Sequence, residues 1–428
     1  MKRSGVCDEL LAFDDVAVIP GKAFVEPGQV DIKSRFSKNV ELEIPVASSP
    51  MDTVTEWRLA LALARAGALG VIHRNMSIEE QVSQTLKVKS AEPELNREVL
   101  IASGGDVVEL IARAKKEEIA SALILERGEP IAILVLDVGD AEYWLDKALS
   151  VSKLVKLLGL KPSLDEKGRL RVAVATSPID HERIRKLDSA EVDVIVIDVA
   201  HAHNENVISS LTKLSKELRA DLVVGNVGSR EAVMEFLSRV DKVDAFRVGI
   251  GSGSICSTAE TTGAYMPTLT AVIEARRGLE EMGAWKKVPI IADGGIRRTS
   301  DIVKAIIAGA SSVMSGRLFA GTEESAGLKI RIGDKTYKQY RGMASKGAME
   351  KRFASDRYSK PSKAITEGVE GLVPYTGSVY SVLVEIVAGL KAGLGYAGAR
   401  KIEEAWSCKL ARLTGSARTE ARPHDVVL

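Results

Sequence analysis

Charge imbalance is missing from this sequence: 59 Lys and Arg stand against 58 Asp and Glu, a formal net charge of +1. Without a global field, neither nucleic acid nor an anionic membrane is expected as a partner, and any anionic ligand has to be held by local groups. Cysteine is scarce too. Cys7, Cys256 and Cys408 are too few and too scattered for a disulfide framework or a four-ligand zinc site, which leaves room only for a lone reactive thiol. No run of ~18 uninterrupted apolar residues occurs. The opening MKRSGVCDELLAFDD turns acidic where a signal peptide needs its apolar stretch, so a cytoplasmic protein is expected. Asn and Gln are sparse beside Lys, Arg and Glu, a bias of heat-adapted proteins.

What is present is an ordinary globular composition, 45% hydrophobic and 27% charged over 428 residues, which excludes disorder and collagen. Short β-branched runs at 44–48, 70–73, 172–176, 192–198, 221–226, 245–249, 289–293 and 311–315 alternate with helical patterns. Several are apolar throughout, as in strands buried on both faces. Eight parallel strands predict an α/β fold, a (β/α)8 barrel. The long gap between the second and third strands predicts an insert at 93–169, dividing the chain into 1–92, 93–169 and 170–428. Within the insert, 105–116 and 141–158 read as helical, and 122–125 and 131–136 as strands around a turn at 127–128. The tract 317–377 reads as a polar, Gly-rich lid without regular structure, followed by a helix at 379–394.

Chemistry in such a barrel gathers where the strands end. Ser49 and Met51 follow the first strand, Asp198 the fourth, Asn226 the fifth, and Gly249 opens the loop after the sixth. The turns Gly294-Gly295 and Gly316-Arg317 suit an anion, because backbone N–H groups at a following helix start point at it and Arg317 adds charge. Cys256, in the Gly- and Ser-rich loop 249–258, is a candidate nucleophile. Asp198 is read as accepting hydrogen bonds from ligand hydroxyls, with a metal site shared with His201 and His203 as the alternative. In the lid, Arg357 beside Tyr358 would lower the phenol's pKa and make it a base.

Taken together, FDDVAVIPG (13–21), SSPMDTVTE (48–56), DVAHAH (198–203), GNV (225–227), VGIGSGSICST (248–258), IADGGIRRTSDIVKAIIAGASSVMSG (291–316), YRGMASKGAM (340–349), SDRY (355–358), EGVEGLVPYTG (367–377) and AGLGYAGARKIEE (392–404) resemble the inosine 5′-monophosphate dehydrogenase and guanosine 5′-monophosphate reductase family. The resemblance implies oxidation of inosine 5′-monophosphate (IMP) to xanthosine 5′-monophosphate with NAD⁺, in GMP biosynthesis, through a covalent Cys256 thioimidate. Thr258, Arg357 and Tyr358 would serve its hydrolysis. Asp293 would hold the ribose, Ser254, Gly295, Gly316 and Tyr340 the phosphate, and Met343 and Glu367 the base. Ser49 and Met51 would line the nucleotide pocket, and Asp198, with Asn226 and Gly249, would meet the cofactor. Carbonyls of Gly251, Gly253 and Cys256, with those of Glu420, Ala421 and Arg422 from a neighbouring subunit, would hold a monovalent cation such as K⁺, which implies a homotetramer. Segment 105–136 resembles a truncated cystathionine β-synthase-type (CBS) module.

Arg317, Ala344 and Ala202 depart from the family's usual serine, glycine and glycine. The alternatives are the reductase, which converts GMP to IMP with NADPH, and a catalytically idle nucleotide-binding regulator. Thr261-Thr262-Gly263 looks slightly reductase-like. The lid sequences SDRY and EGVEGLVPY favour the dehydrogenase.

Overall fold

The computed structural model describes residues 9–93, 99–103, 121–126, 129–135, 161–355 and 366–422. Eight parallel strands close into a barrel in chain order: Val46–Ser48, Leu69–Ile72, Ala173–Thr176, Val194–Ile197, Asp221–Val227, Ala245–Val248, Ile290–Asp293 and Ser312–Ser315. These are the eight expected runs, trimmed or extended by a residue or two at their ends. Their continuous apolar character follows from burial on both faces. In the fourth strand Val194 and Val196 point into the barrel, while Ile195 and Ile197 pack against the surrounding helices.

The bottom of the barrel is plugged. A two-stranded hairpin, Ser34–Arg35 with Glu41–Leu42, sends Phe36, Val40 and Leu42 into the interior cluster. It is pinned by the Asp221 carboxylate, which accepts from Ser37 Oγ at 2.6 Å and from Asn39 N and Nδ2 at 2.9 and 2.8 Å. With that end closed, ligand access falls to the opposite rim.

In the insert, Val99–Ser103 pairs in parallel with Ser121–Glu126, which pairs antiparallel with Glu129–Val135. The expected helices at 105–116 and 141–158 lie outside the described residues, as does the turn at 127–128. On the return, Ser163 N donates to Ala64 O, and buried Lys89 joins Asp165 and Asp193 at 2.9 and 2.8 Å.

The tract 317–377 is not the structureless lid expected. Lys329–Ile332, Lys335–Arg341 and Glu370–Pro374 form an antiparallel sheet, and a helix spans Lys346–Ser355. The middle strand hides its alternation because one inward position, Lys338, is a lysine only 2% exposed. The chain then closes with Val379–Ala397, capped by Ser378, whose Leu383, Ile386, Leu390 and Leu394 are buried. This helix is long and apolar enough by composition to cross a membrane. Here its apolar face lies on the helix Thr299–Ala308 of the barrel.

Candidate functional site

A cavity of about 1430 Å³ opens at the C-terminal ends of the strands. Two glycines allow its loops to meet. A Cβ on Gly249, at φ +127°, would stand 2.3 Å from the Asp293 carbonyl, and one on Gly294, at φ +92°, would stand 2.3 Å from Ser252 Oγ. Side chains at these positions would push the loop 249–258 away from the end of the seventh strand. Thr268 Oγ1 holds the junction at 2.8 Å from Asp293 O and 2.9 Å from Gly294 O.

Cys256 is exposed to this cavity. Its Sγ lies 3.1 Å from Thr258 Oγ1, which in turn donates to Glu367 Oε2 at 2.8 Å. Backbone bonds register the three groups: Ser257 N donates to Glu367 O, Val369 N to Ile255 O, and Glu367 N to Ala344 O. The segment 366–369, remote in sequence, is thereby sewn to the cysteine loop.

Across the cavity, Asp293 Oδ2 accepts from Arg247 Nε and Asn226 Nδ2, both at 2.9 Å. Among the described residues no donor reaches its Oδ1. Arg247 Nη1 reaches Asp198 Oδ1 at 2.7 Å, so one buried guanidinium spans two carboxylates. Burial opposes its charge, but Asp293 and Asp198 outweigh that and push its pKa up. Ser254 and Tyr340 hydroxyls stand 3.4 Å apart beside the Gly294-Gly295 and Gly316 turns. Burial raises the Tyr340 phenol, against the opposing hydrogen bond of Ser254 and the charge of Arg317. A Cβ on Gly316 would meet Met51 Sδ at 2.6 Å and Tyr340 Oη at 2.9 Å, so Met51, Tyr340 and this turn form one wall. Met343 Sδ accepts from Asp52 N at 3.3 Å.

Ser49, Met51, Ser254, Arg317, Met343 and Glu367 thus line the same cavity as Cys256, Thr258, Asp198 and Asp293. Asn226, Gly249, Gly251, Gly253, Gly295, Gly316 and Tyr340 join them. Arg357 and Tyr358 lie outside the described residues. Glu420, Ala421 and Arg422 do not line the cavity of their own chain. Glu420 ends the surface helix Gly415–Glu420, in which Arg418 meets Asp15 at 2.6 Å, and Ala421 and Arg422 follow it. The alternative of a metal at Asp198, His201 and His203 is not supported. Asp198 turns to Arg247, His203 binds Glu235 at 2.8 Å, and among the described residues no three His, Cys, Asp or Glu side chains gather for a metal.

Sequence reasoning missed Arg247 and the clamp of Asp52, Asn75 and Arg341. The first had a signal, an arginine inside the apolar strand AFRV, where a buried charge demands a partner. In the clamp, Asp52 accepts from Arg341 Nε and Nη2 at 3.0 and 2.5 Å and from Asn75 Nδ2 at 2.8 Å. It ties the loop after the first strand to the segment carrying Met343. The Asp52 carboxyl stays below its ordinary range: burial works against this, but the bonds from Arg341 and Asn75 prevail.

A family model described as "IMP dehydrogenase / GMP reductase domain" matches residues 10–424. Inosine-5′-monophosphate dehydrogenase of Korarchaeum cryptofilum is 43% identical over 462 aligned residues, covering 97% of this chain and 96% of that protein. The protein of the same name from Halobacterium salinarum is 39% identical, covering 98% and 94%. Among solved structures, a cysteine-to-alanine variant of GMP reductase from Trypanosoma brucei, in complex with guanosine 5′-monophosphate, superimposes with a TM-score of 0.78 at 30% identity, covering all of both chains.

Proposed function

Because the chain belongs to the IMP dehydrogenase and GMP reductase family, we propose that it oxidises inosine 5′-monophosphate to xanthosine 5′-monophosphate with NAD⁺, on the route to GMP. The observation that carries this reading is the row Cys256, Thr258, Glu367 in the rim cavity. A hydroxyl has one proton to give, and Thr258 gives it to Glu367, so its oxygen is left to accept the thiol proton. The row offers that proton a path from sulfur towards carboxylate as Cys256 attacks C2 of the hypoxanthine ring.

Attack makes C2 tetrahedral, and only then can the carbon release a hydride. Asp198, Asn226 and Gly249 would hold NAD⁺, which when bound would supply the acceptor for that hydride. Cys256 and the purine remain joined as a thioimidate. Water then adds at C2, a proton leaves, and the C–S bond breaks to release product and regenerate the thiol. Arg357 and Tyr358 are the proposed activators of that water, with Thr258 positioning it. The unengaged Oδ1 of Asp293 suits a ribose hydroxyl, and Ser254, Gly295, Gly316, Arg317 and Tyr340 suit the phosphate. Ser49, Met51 and Met343 enclose the base.

A bound metal here would need oxygen ligands, since the described residues gather no His, Cys or carboxylate cluster. Carbonyls of Gly251, Gly253 and Cys256, with those of Glu420, Ala421 and Arg422 from a neighbouring subunit, are the proposed ligands of K⁺ in a homotetramer. The three-stranded sheet of the insert suits a single CBS-type module. Incubation with IMP and NAD⁺ tests the reading: growth of NADH absorbance supports it. Loss of NADPH with GMP would instead assign the reductase, and neither change would leave the idle regulator.

A further inference from the structure

Five arginines line the cavity, and four are committed to carboxylates. Arg74 and Arg247 meet Asp198, Arg247 also meets Asp293, Arg183 meets Asp180 at 2.8 Å, and Arg297 meets Asp14 at 2.7 Å. Arg317 has no ion pair or hydrogen bond to any described side chain. It is half-buried and adjoins Gly316, the turn walled by Tyr340 Oη and Met51. An arginine in a cavity wall without a counter-charge from the described side chains is a ready partner for an anionic ligand. The neutral donors around it, Ser254 and Tyr340 hydroxyls and the glycine turns, cannot offset two negative charges.

From this we infer that Arg317 is a charge-specificity residue, which makes the pocket selective for the doubly ionised phosphate of a nucleoside monophosphate over the monoanion and over the phosphate-free nucleoside. The inference rests on reading the cavity as a purine nucleotide site. A charge-assisted hydrogen bond to a fixed phosphate acts equally on ground state and transition state, so its loss is expected in KM rather than kcat.

The test compares Arg317→Ser and Arg317→Lys with the parent protein, at constant K⁺ with ionic strength varied by choline chloride. For Arg317→Ser the KM for IMP rises about 10-fold or more at low salt, and the parent's increase of KM with salt flattens. The binding of inosine, which lacks the phosphate, does not change. Arg317→Lys keeps the salt dependence and recovers part of the affinity. Equal loss for inosine and IMP, or an unaltered KM and salt slope in Arg317→Ser, overturns the inference. Calorimetric titration with IMP separates the two readings: binding that depends on Arg317 without NADH formation refutes the proposed activity alone. Turnover that is indifferent to Arg317 refutes this inference alone.

Discussion

Glu324 gives a prediction whose size follows from its surroundings. Its carboxylate caps the start of the helix Val379–Ala397, accepting from Ser378 Oγ at 2.9 Å and Val379 N at 2.8 Å. It is buried, and burial pushes its carboxyl up from 4.5 to about 7, although the bonds from Val379 and Ser378 pull the other way. The native state therefore holds a proton between pH 4.5 and 7 that the unfolded chain has already lost. Its stabilising contribution is full below pH 4.5 and disappears as pH rises through about 7. That interval amounts to about 3 kcal/mol in total, of which about 2 kcal/mol falls between pH 5 and pH 7. In Glu324→Gln this contribution is absent. Urea unfolding of both proteins across that window should show the parent losing about 2 kcal/mol more than the variant. Parallel profiles, or a parent that gains stability with pH relative to Glu324→Gln, would show that Glu324 does not hold this proton in the folded protein.

Other perturbations address the site. Thr258→Val breaks the path from Cys256 to Glu367 and should lower kcat roughly 10- to 100-fold with little change in the KM for IMP, as expected for a hydrogen bond to a charged group; steady-state kinetics decide, and an unchanged kcat counts against the row. Arg247→Leu leaves Asp198 and Asp293 buried beside each other without their shared cation and should cost about 3–5 kcal/mol in denaturant unfolding, with weaker binding of both IMP and NAD⁺. Arg357→Ala should slow hydrolysis more than hydride transfer, seen as a fast burst of NADH before a slow steady state. Equal slowing of the two steps would remove Arg357 from the water-activating role.

The barrel was legible because its strands are buried on both faces and so read as largely apolar β-branched runs, each stopped by a rim residue that is polar, small or reactive. The same stops drew attention to Asp198, Cys256, Asp293 and Gly316, all of which line the rim cavity. Legibility failed in the sheet after the barrel, where a buried lysine interrupts the alternation. Lys338 donates to the Glu323 and Ser325 carbonyls, which is what makes its burial tolerable, and no local pattern announces that. Burial pushes this lysine down to about 8. Val99–Ser103 was missed for another reason: five residues are too few to set a period, and its partner lies 22 residues on at Ser121. The Arg247 bridge and the Asp52, Asn75, Arg341 clamp join positions from 23 to 289 residues apart. Such contacts exist only once the barrel closes.

The chemistry assigned to the Cys256 sulfur can be read by acid quenching of the protein during turnover with IMP and NAD⁺, followed by peptide mass analysis. A purine nucleotide is expected on the peptide containing Cys256, formed together with NADH and absent from Cys256→Ala, which should still bind IMP. NADH formation by Cys256→Ala at the parent's rate would contradict that chemistry.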